Sequence, residues 1–237
     1  MIIMYLSYIS MNTYDKQKLQ NDIQSLLNEY VKSDNIEFLN KIEHKFEMYL
    51  ENNPDDRKTF LQYIIFEYLP QIADDMKAKE LLLDYLDKHP NDCEALLLLA
   101  YIVYNWYRFD QNVLDKLENA QSADPEIMSM IEYAKSWYYY HNESKYIASI
   151  IKSVNYSHNQ VYNLRELAYI YEFDGNMEIA KQLFMQAMKN IKAIYIPNHA
   201  PFIPSINEFL NERYKGINLG KWNYQDLIAS FNKLNEK

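Results

Sequence analysis

The sequence predicts an all-α protein, an α–α solenoid built from about five to six helical hairpins. Two periodicities predict it: a turn-forming proline that recurs about every 35 residues, and an alanine that recurs at almost the same interval. A third observation is the scarcity of glycine, with 3 in 237 residues, where average usage of about 7% would give about 16. Hairpin-rich β folds and nucleotide-binding α/β folds both need glycine, so its scarcity favours helices joined by polar turns.

Four of the seven prolines mark a regular series of loops. Pro54, Pro90 and Pro125 are separated by 36 and 35 residues. Pro197 follows after a further 72 residues, which is twice 36, so the missing member of the series would fall near Asn159. Proline cannot continue a helix, and a neighbouring Asp or Asn favours the start of the next one. The spacing therefore predicts a loop at each of these five points, with two helices between successive loops.

Small residues repeat within the predicted helices. Ala100, Ala134 and Ala168 are separated by 34 and 34 residues, and each has aliphatic or aromatic neighbours. A small side chain that recurs at one helical position indicates that neighbouring helices approach closely there. We therefore expect these three alanines to be buried at helix contacts.

The stretch from Leu164 to Ile191 carries seven residues of a helical-hairpin signature across both of its helices. They are Leu167, Ala168, Tyr171, Gly175, Ala180, Phe184 and Ala187. In order and spacing they resemble the signature positions of the tetratricopeptide repeat. Gly175 falls where that family turns from the first helix to the second, and a left-handed backbone favours glycine there. The resemblance also implies that Ala180 is buried at a close contact.

The resemblance is good over residues 60–195 and weak at both ends of the chain. It implies one repeat domain over 1–237, with residues 1–14 as an N-terminal extension and 198–237 as a divergent C-terminal capping hairpin. Terminal repeats are expected to diverge because they present a polar outer face. The two helices of the capping hairpin and the glycines of its longer turn are predicted at 207–215, 224–234, Gly216 and Gly220.

Charge, cysteine content and the N-terminus narrow the classes of partner and compartment. The net charge of −9 disfavours nucleic acid, which binds clustered positive charge, and suits a basic protein partner. Cys93 is the only cysteine, so the chain forms no internal disulfide and no cysteine-rich metal site. Residues 1–11 are apolar but lack a positively charged n-region and are too short to span a bilayer. These observations favour a cytoplasmic protein without a membrane partner.

The residue types that carry catalysis do not form recognisable sites. The sequence contains no phosphate-binding glycine loop, no nucleophile elbow and no zinc-protease motif. The paired carboxylates Asp55–Asp56 and Asp74–Asp75 precede predicted helices, where they are expected to act as N-terminal caps. We therefore expect no enzyme, no cofactor and no metal site. The histidines are scattered along the chain, at positions 44, 89, 141, 158 and 199.

In tetratricopeptide arrays the first helix of each hairpin lines a concave groove, and the resemblance carries that geometry to this chain. Helical spacing then places large side chains beside the periodic alanines on that face. Tyrosine is favoured at recognition surfaces because its ring is large and its hydroxyl group forms hydrogen bonds. One alternative stays open: the aromatic runs at 104–107 and 137–140 fill the space between helices. The predicted protein-binding residues are Tyr101, Tyr104, Lys135, Tyr138, Tyr162, Arg165 and Tyr169.

The sequence thus predicts a non-catalytic protein-interaction module that holds a protein or peptide in a tyrosine-rich groove. Two alternatives remain, a bacterial toxin-immunity protein and a secretion chaperone. An acidic inhibitor would suit a basic toxin domain. The neighbouring gene distinguishes these classes, because a toxin reading frame favours immunity and secretion genes favour a chaperone.

Overall fold

The computed structural model describes residues 2–107, 109–195 and 202–235. The chain divides into two compact units, Met1–Asp74 and Asp75–Lys237. The described residues are helical apart from turns and two three-residue strands, which confirms the predicted all-α class. The single domain over 1–237 stays a prediction.

The first unit contains three helices, α1 (Ile2–Ser33), α2 (Glu37–Asn52) and α3 (Arg57–Tyr68). The predicted N-terminal extension at residues 1–14 is therefore helical from Ile2 onward. Asp56 caps α3 as expected, because its carboxylate accepts a hydrogen bond from the backbone N–H of Thr59 at 3.3 Å. The core of this unit includes the fully buried side chains Leu39, Ile42, Phe46, Leu61, Ile64 and Phe66.

The second unit begins with seven consecutive helices, α4 to α10. Within it, α5–α6, α7–α8 and α9–α10 are helical hairpins whose helices contact each other. The bounds are α4 (Asp75–Lys88), α5 (Cys93–Tyr107), α6 (Gln111–Asn119), α7 (Pro125–Tyr138), α8 (Glu143–Tyr156), α9 (Val161–Phe173) and α10 (Met177–Asn190).

The predicted loop series agrees with these bounds. Pro54 and Pro90 lie in turns between helices, and Asn159 lies in the connection between α8 and α9. Pro70 follows the end of α3, where the spacing predicts an inter-helix turn. Pro197 lies outside the described residues.

Pro125 differs in detail, because it is the first residue of α7 and not part of the preceding loop. Its missing N–H is one that the first turn of a helix leaves unpaired in any case. Asp124 caps the helix, and its carboxylate accepts a hydrogen bond from the N–H of Glu126 at 2.8 Å.

The small residues lie where the periodicity places them. Ala100, Ala134, Ala168 and Ala180 are all fully buried, which confirms the predicted helix contacts. Gly175 adopts φ +79° immediately after α9, so the predicted left-handed turn is also confirmed. The positions of the buried alanines in α5, α7 and α9 therefore agree with the sequence prediction.

The C-terminal part adds elements that the sequence analysis did not predict. A short strand β1 (Ala193–Tyr195) pairs in parallel with β2 (Asn218–Gly220), in the register Ile194 to Leu219. The predicted helix at 207–215 is present as α11 (Ile206–Leu210) followed by one π-helical turn (Asn211–Lys215). The second predicted helix, at 224–234, begins earlier and is α12 (Lys221–Asn235).

Candidate protein-interaction face

Helices α5, α7 and α9 contribute to one surface of the second unit, called here the first-helix face. Residues 205–235, called here the C-terminal segment, lie on part of it, because α11 contacts α5 and the π-helical turn contacts α7 and α9. The segment starts with a capping box: Ser205 and Glu208 each accept a hydrogen bond from the other's backbone N–H.

Tyr214 anchors the C-terminal segment to the first-helix face. Its side chain is fully buried, and its hydroxyl group donates a hydrogen bond to the carbonyl oxygen of Leu97 at 2.5 Å. Its ring stacks on Trp137 with centroids 4.9 Å apart. Burial raises the pKa of Tyr214 well above its ordinary value, so the phenol stays protonated and keeps donating.

Tyr101, one of the predicted binding residues, is covered by the same segment. Its ring meets Phe209 edge to face at 5.3 Å and lies 6.2 Å from the ring of Tyr214. The guanidinium of Arg213 lies 5.6 Å from the centre of the Tyr101 ring, within cation–π range. Tyr101 therefore contacts the chain's own C-terminal segment.

Tyr162 and Tyr169, both on α9, also contact this segment. The Tyr162 ring lies directly over Gly216, where an added Cβ would come within 2.8 Å of Cε1. The amide of Asn223 donates to the Tyr162 hydroxyl group at 3.3 Å. The hydroxyl groups of Tyr169 and Ser230 share a hydrogen bond of 2.8 Å.

Two other predicted binding residues lie inside the fold. Tyr138 is 3% exposed, and its hydroxyl group donates to the carbonyl oxygen of Ala100 at 3.1 Å. Lys135 is also buried and forms an ion pair with Glu132 at 2.9 Å. Both side chains are satisfied within the protein, so they support the face from below and present little surface to a partner.

Arg165 and Tyr104 occupy the part of the face beside the C-terminal segment. The Arg165 guanidinium lies 5.0 Å from the centre of the Tyr162 ring and donates to Glu166 Oε1 at 2.7 Å. Burial opposes the charge on Arg165, but the adjacent carboxylate of Glu166 outweighs it and raises the pKa of the guanidinium. Tyr104 is half-buried, with its ring 5.2 Å from that of Trp137.

An aromatic pocket of about 260 Å³ opens beside Tyr104 on this surface. Its wall carries one carboxylate, that of Glu166, whose Oε2 accepts a hydrogen bond from the Tyr146 hydroxyl group at 3.2 Å. Burial and the nearby carboxylate raise the pKa of Tyr146, so this hydroxyl group remains a donor. The pocket is lined by Tyr104, Tyr133, Ser136, Trp137, Tyr140, Tyr146 and Glu166.

Large aromatic side chains in or next to α5 and α7 are exposed. Tyr140 lines the pocket and is 57% exposed, and Trp106, in the last turn of α5, is 56% exposed. Phe109 is 49% exposed, and its ring lies 6.1 Å from that of Tyr138. The two aromatic runs are thus divided in role, because Trp137 and Tyr138 pack against the fold while Trp106 and Tyr140 face outward.

The sequence alone does not identify the members of this pocket as one site, namely Tyr133, Trp137, Tyr140, Tyr146 and Glu166. The aromatic run at 137–140 was the available signal, but the run alone did not show which of its rings face outward. Tyr146 and Glu166 belong to different hairpins, so no local spacing connects them. Tyr214 lies 117 residues from its partner Leu97, and no helical periodicity reaches over that separation.

The described residues hold no activated thiol and no cluster of metal-ligating side chains. Cys93 is half-buried and its thiol donates to the carbonyl oxygen of Gln121 at 3.4 Å. Burial, together with Asp92 and Glu94, raises the pKa of that thiol and disfavours the thiolate. The described ranges hold no cluster of three or more metal-ligating His, Cys, Asp or Glu side chains. None of their helices combines the length and the apolar character that crossing a bilayer requires.

Comparison with known proteins gives structural but not sequence matches. No family model matches the chain, and none of the curated proteins matches it. A solved structure described as the MamA RS-1 ArsTM double mutant has a TM-score of 0.50 and 15% identity, and the match covers 71% of this chain and 94% of that one.

A second solved structure, MamA 41-end from Desulfovibrio magneticus RS-1, has a TM-score of 0.49 at 15% identity, with the same two coverages of 71% and 94%. The first of the two similarities agrees with the helical hairpins, the buried alanines and the turn at Gly175. The chain therefore has a tetratricopeptide-like helical repeat fold of the α–α superhelix class.

Proposed function

We propose that this chain is a non-catalytic protein-interaction module that binds a protein or peptide on the first-helix face, at the aromatic pocket and its rim. The observation that carries the proposal is the aromatic lining of this pocket, where five of the seven lining side chains are aromatic and Tyr140 is 57% exposed. Aromatic rings this exposed cost free energy in water, and residues of this type dominate binding at protein interfaces. The tetratricopeptide-like fold supports a protein partner.

The predicted binding residues contribute to this site in three ways. Tyr104 and Arg165 border the open surface and are the residues that a partner would contact. Tyr101, Tyr162 and Tyr169 hold the C-terminal segment, which forms one edge of the site. Lys135 and Tyr138, which are buried, fix the geometry of α7 beneath it.

The proposed partner is basic, which suits the net charge of −9. A toxin-immunity protein and a secretion chaperone are two specific forms of this module, and the acidity of the whole chain suits the first of them. The identity of the neighbouring gene separates them. The absence of catalytic motifs from the sequence supports a non-catalytic role, and we propose that the protein acts in the cytoplasm without a cofactor.

Capture of partners from a native lysate, followed by mass spectrometry, tests the proposal. The bait is the full chain, compared with the variants Tyr104→Ala and Tyr140→Ala. Tyr156→Ala is the matched control, because Tyr156 is an exposed tyrosine on α8 that does not line the pocket. We expect one partner to be lost with both pocket variants and retained with the control. A partner retained by both pocket variants would contradict the proposed site.

A further inference from the structure

We propose that the aromatic pocket receives a lysine side chain of the partner. The inference rests on the proposed function and specifies its chemistry: the ligand group is a primary ammonium ion carried on an extended peptide. The pocket is defined by the seven lining residues given above, from Tyr104 to Glu166.

The size of the pocket suits a single side chain. Sites for small molecules and cofactors commonly enclose about 300–1,000 Å³, and this pocket encloses about 260 Å³. The methylene chain of lysine can pack along the rings while its ammonium group reaches the polar wall. A bulkier ligand would require rearrangement of Tyr133 or Trp137, which pack edge to face at 5.3 Å.

The electrostatics of the lining favour a cation. Five of the seven lining residues are aromatic, and aromatic ring faces carry partial negative charge that attracts ammonium groups. Glu166 is the only lining residue with a formal charge. The same rings and carboxylate would repel an anionic side chain, so an acidic peptide is disfavoured.

The hydrogen-bond partners of Glu166 leave one oxygen suited to a further donor. Arg165 donates two hydrogen bonds to Oε1, from Nη2 at 2.7 Å and from Nε at 3.2 Å, so this ion pair holds the carboxylate in place. Oε2 accepts from Tyr146 at 3.2 Å, a long hydrogen bond. A lysine ammonium can donate one of its three N–H groups to that oxygen, whereas an apolar side chain supplies no donor.

A titration of peptides into the protein tests the inference directly. The tryptophan indole N–H signals, recorded by NMR, report binding. The probes are acetylated, amidated pentapeptides Gly-Ala-X-Ala-Gly in which X is lysine, norleucine or phenylalanine. Norleucine has the same hydrocarbon chain without the charge. We expect the lysine peptide to shift the Trp137 indole signal saturably and to bind about fivefold or more tightly than the norleucine peptide, the fold-change that corresponds to a cation–π contact with a charge-assisted hydrogen bond. Equal or tighter binding of the norleucine or phenylalanine peptide would overturn the assignment.

Two variants with matched controls locate the binding. Glu166→Gln removes the carboxylate charge, and Glu178→Gln makes the same change on an exposed part of α10. Tyr140→Leu removes an exposed ring of the pocket, and Tyr156→Leu removes an exposed ring outside it. We expect Glu166→Gln and Tyr140→Leu each to weaken the lysine peptide about threefold to tenfold while the controls leave its affinity unchanged. Affinity unchanged in both pocket variants would overturn the inference.

The two proposals fail in different ways. If the captured partner still depends on Tyr104 and Tyr140 but no lysine peptide binds, the ligand assignment is wrong and the proposed interaction site stands. If lysine peptides bind at the pocket but no captured partner depends on it, the proposed function is wrong. Melting midpoints of the Glu166→Gln and Tyr140→Leu variants within the range of the controls show that each change acts on binding and not on folding.

Discussion

Gly216 ends the π-helical turn at φ +65°, directly beneath the ring of Tyr162. Gly175 also has a positive φ, +79°, but open space surrounds the position where its Cβ would be. We expect Gly175→Ala to lower the free energy of unfolding by about 1–2 kcal/mol through backbone strain alone. Gly216→Ala adds a Cβ 2.8 Å from Tyr162 Cε1. Overpacking should therefore lower the free energy of unfolding by about 1–3 kcal/mol beyond the effect of Gly175→Ala. Urea unfolding of the two variants measures the difference, and equal effects would contradict the contact with Tyr162.

Tyr214 offers a second test at the scale of one residue. Tyr214→Phe keeps the ring stacked on Trp137 but removes the hydrogen bond to Leu97. Because this hydrogen bond is buried, we expect the free energy of unfolding to fall by about 1 kcal/mol. Tyr156→Phe, at an exposed tyrosine, is the control and should leave the melting midpoint unchanged. A Tyr214→Phe variant as stable as the wild type would show that the hydrogen bond contributes little.

At the residue scale, the sequence predicts the features that arise from interactions within one hairpin, and it does not predict contacts between distant parts of the chain. Gly175 and the periodic alanines are predicted because turn geometry and helix spacing act within one hairpin. The contact between Tyr101 and Phe209 joins residues more than 100 positions apart, and it depends on how the C-terminal segment folds back. No spacing within the sequence carries that information.

At the scale of elements, the close contact between α9 and α10 depends on Ala168 and Ala180, both fully buried. Ala168→Leu adds three carbon atoms to a filled space, so we expect it to lower the free energy of unfolding by about 1–3 kcal/mol. Thermal unfolding measures the change. A melting midpoint equal to that of the wild type would show that α9 has room at this position, contrary to its burial.

The ion pair between Lys215 of the π-helical turn and Glu126 of α7, at 3.2 Å, predicts a pH dependence. Burial acts to raise the pKa of Glu126, but the hydrogen bond from Ser157 and the charge of Lys215 outweigh it and hold that pKa below its ordinary value of 4.5. The stability from a carboxylate with a lowered pKa is present above the unfolded-state pKa and is lost as pH falls through the folded-state value.

Lys215→Met isolates this contribution. The free energy of unfolding should be nearly level above pH 5 and fall below about pH 4.5, and the fall should be shallower in the variant because Glu126 then has a pKa closer to its unfolded value. Urea unfolding at several pH values measures the two slopes. Identical slopes for wild type and variant would contradict the coupling.

At the element scale, the sequence predicts the C-terminal helices but not the short strands. The helices of the capping hairpin were predicted from the resemblance to a repeat family, whereas the parallel pairing of β1 with β2 was not predicted. Strands of three residues are too short to show a period of two, and their partners lie 25 residues apart in the register Ala193 to Asn218.

At the scale of the second unit, the C-terminal segment covers part of the predicted binding face. The tyrosines that meet it have partners within the chain, so the surface that we propose for another protein is the aromatic pocket and its rim. Sequence spacing predicts the face but not the segment that covers part of it. The most direct test compares Tyr138, the last residue of α7, with Tyr140, two residues further on in the turn, because 3% of Tyr138 and 57% of Tyr140 is exposed.

The deciding measurement pairs calorimetric affinity for the captured partner with the melting midpoint, for Tyr138→Ala and Tyr140→Ala. Tyr140→Ala should weaken binding by about 2 kcal/mol or more, the loss typical of an aromatic anchor, and leave the melting midpoint unchanged. Tyr138→Ala should lower the melting midpoint because it opens a cavity beneath the face. Wild-type affinity in Tyr140→Ala would contradict the proposal that the aromatic pocket is the interaction site.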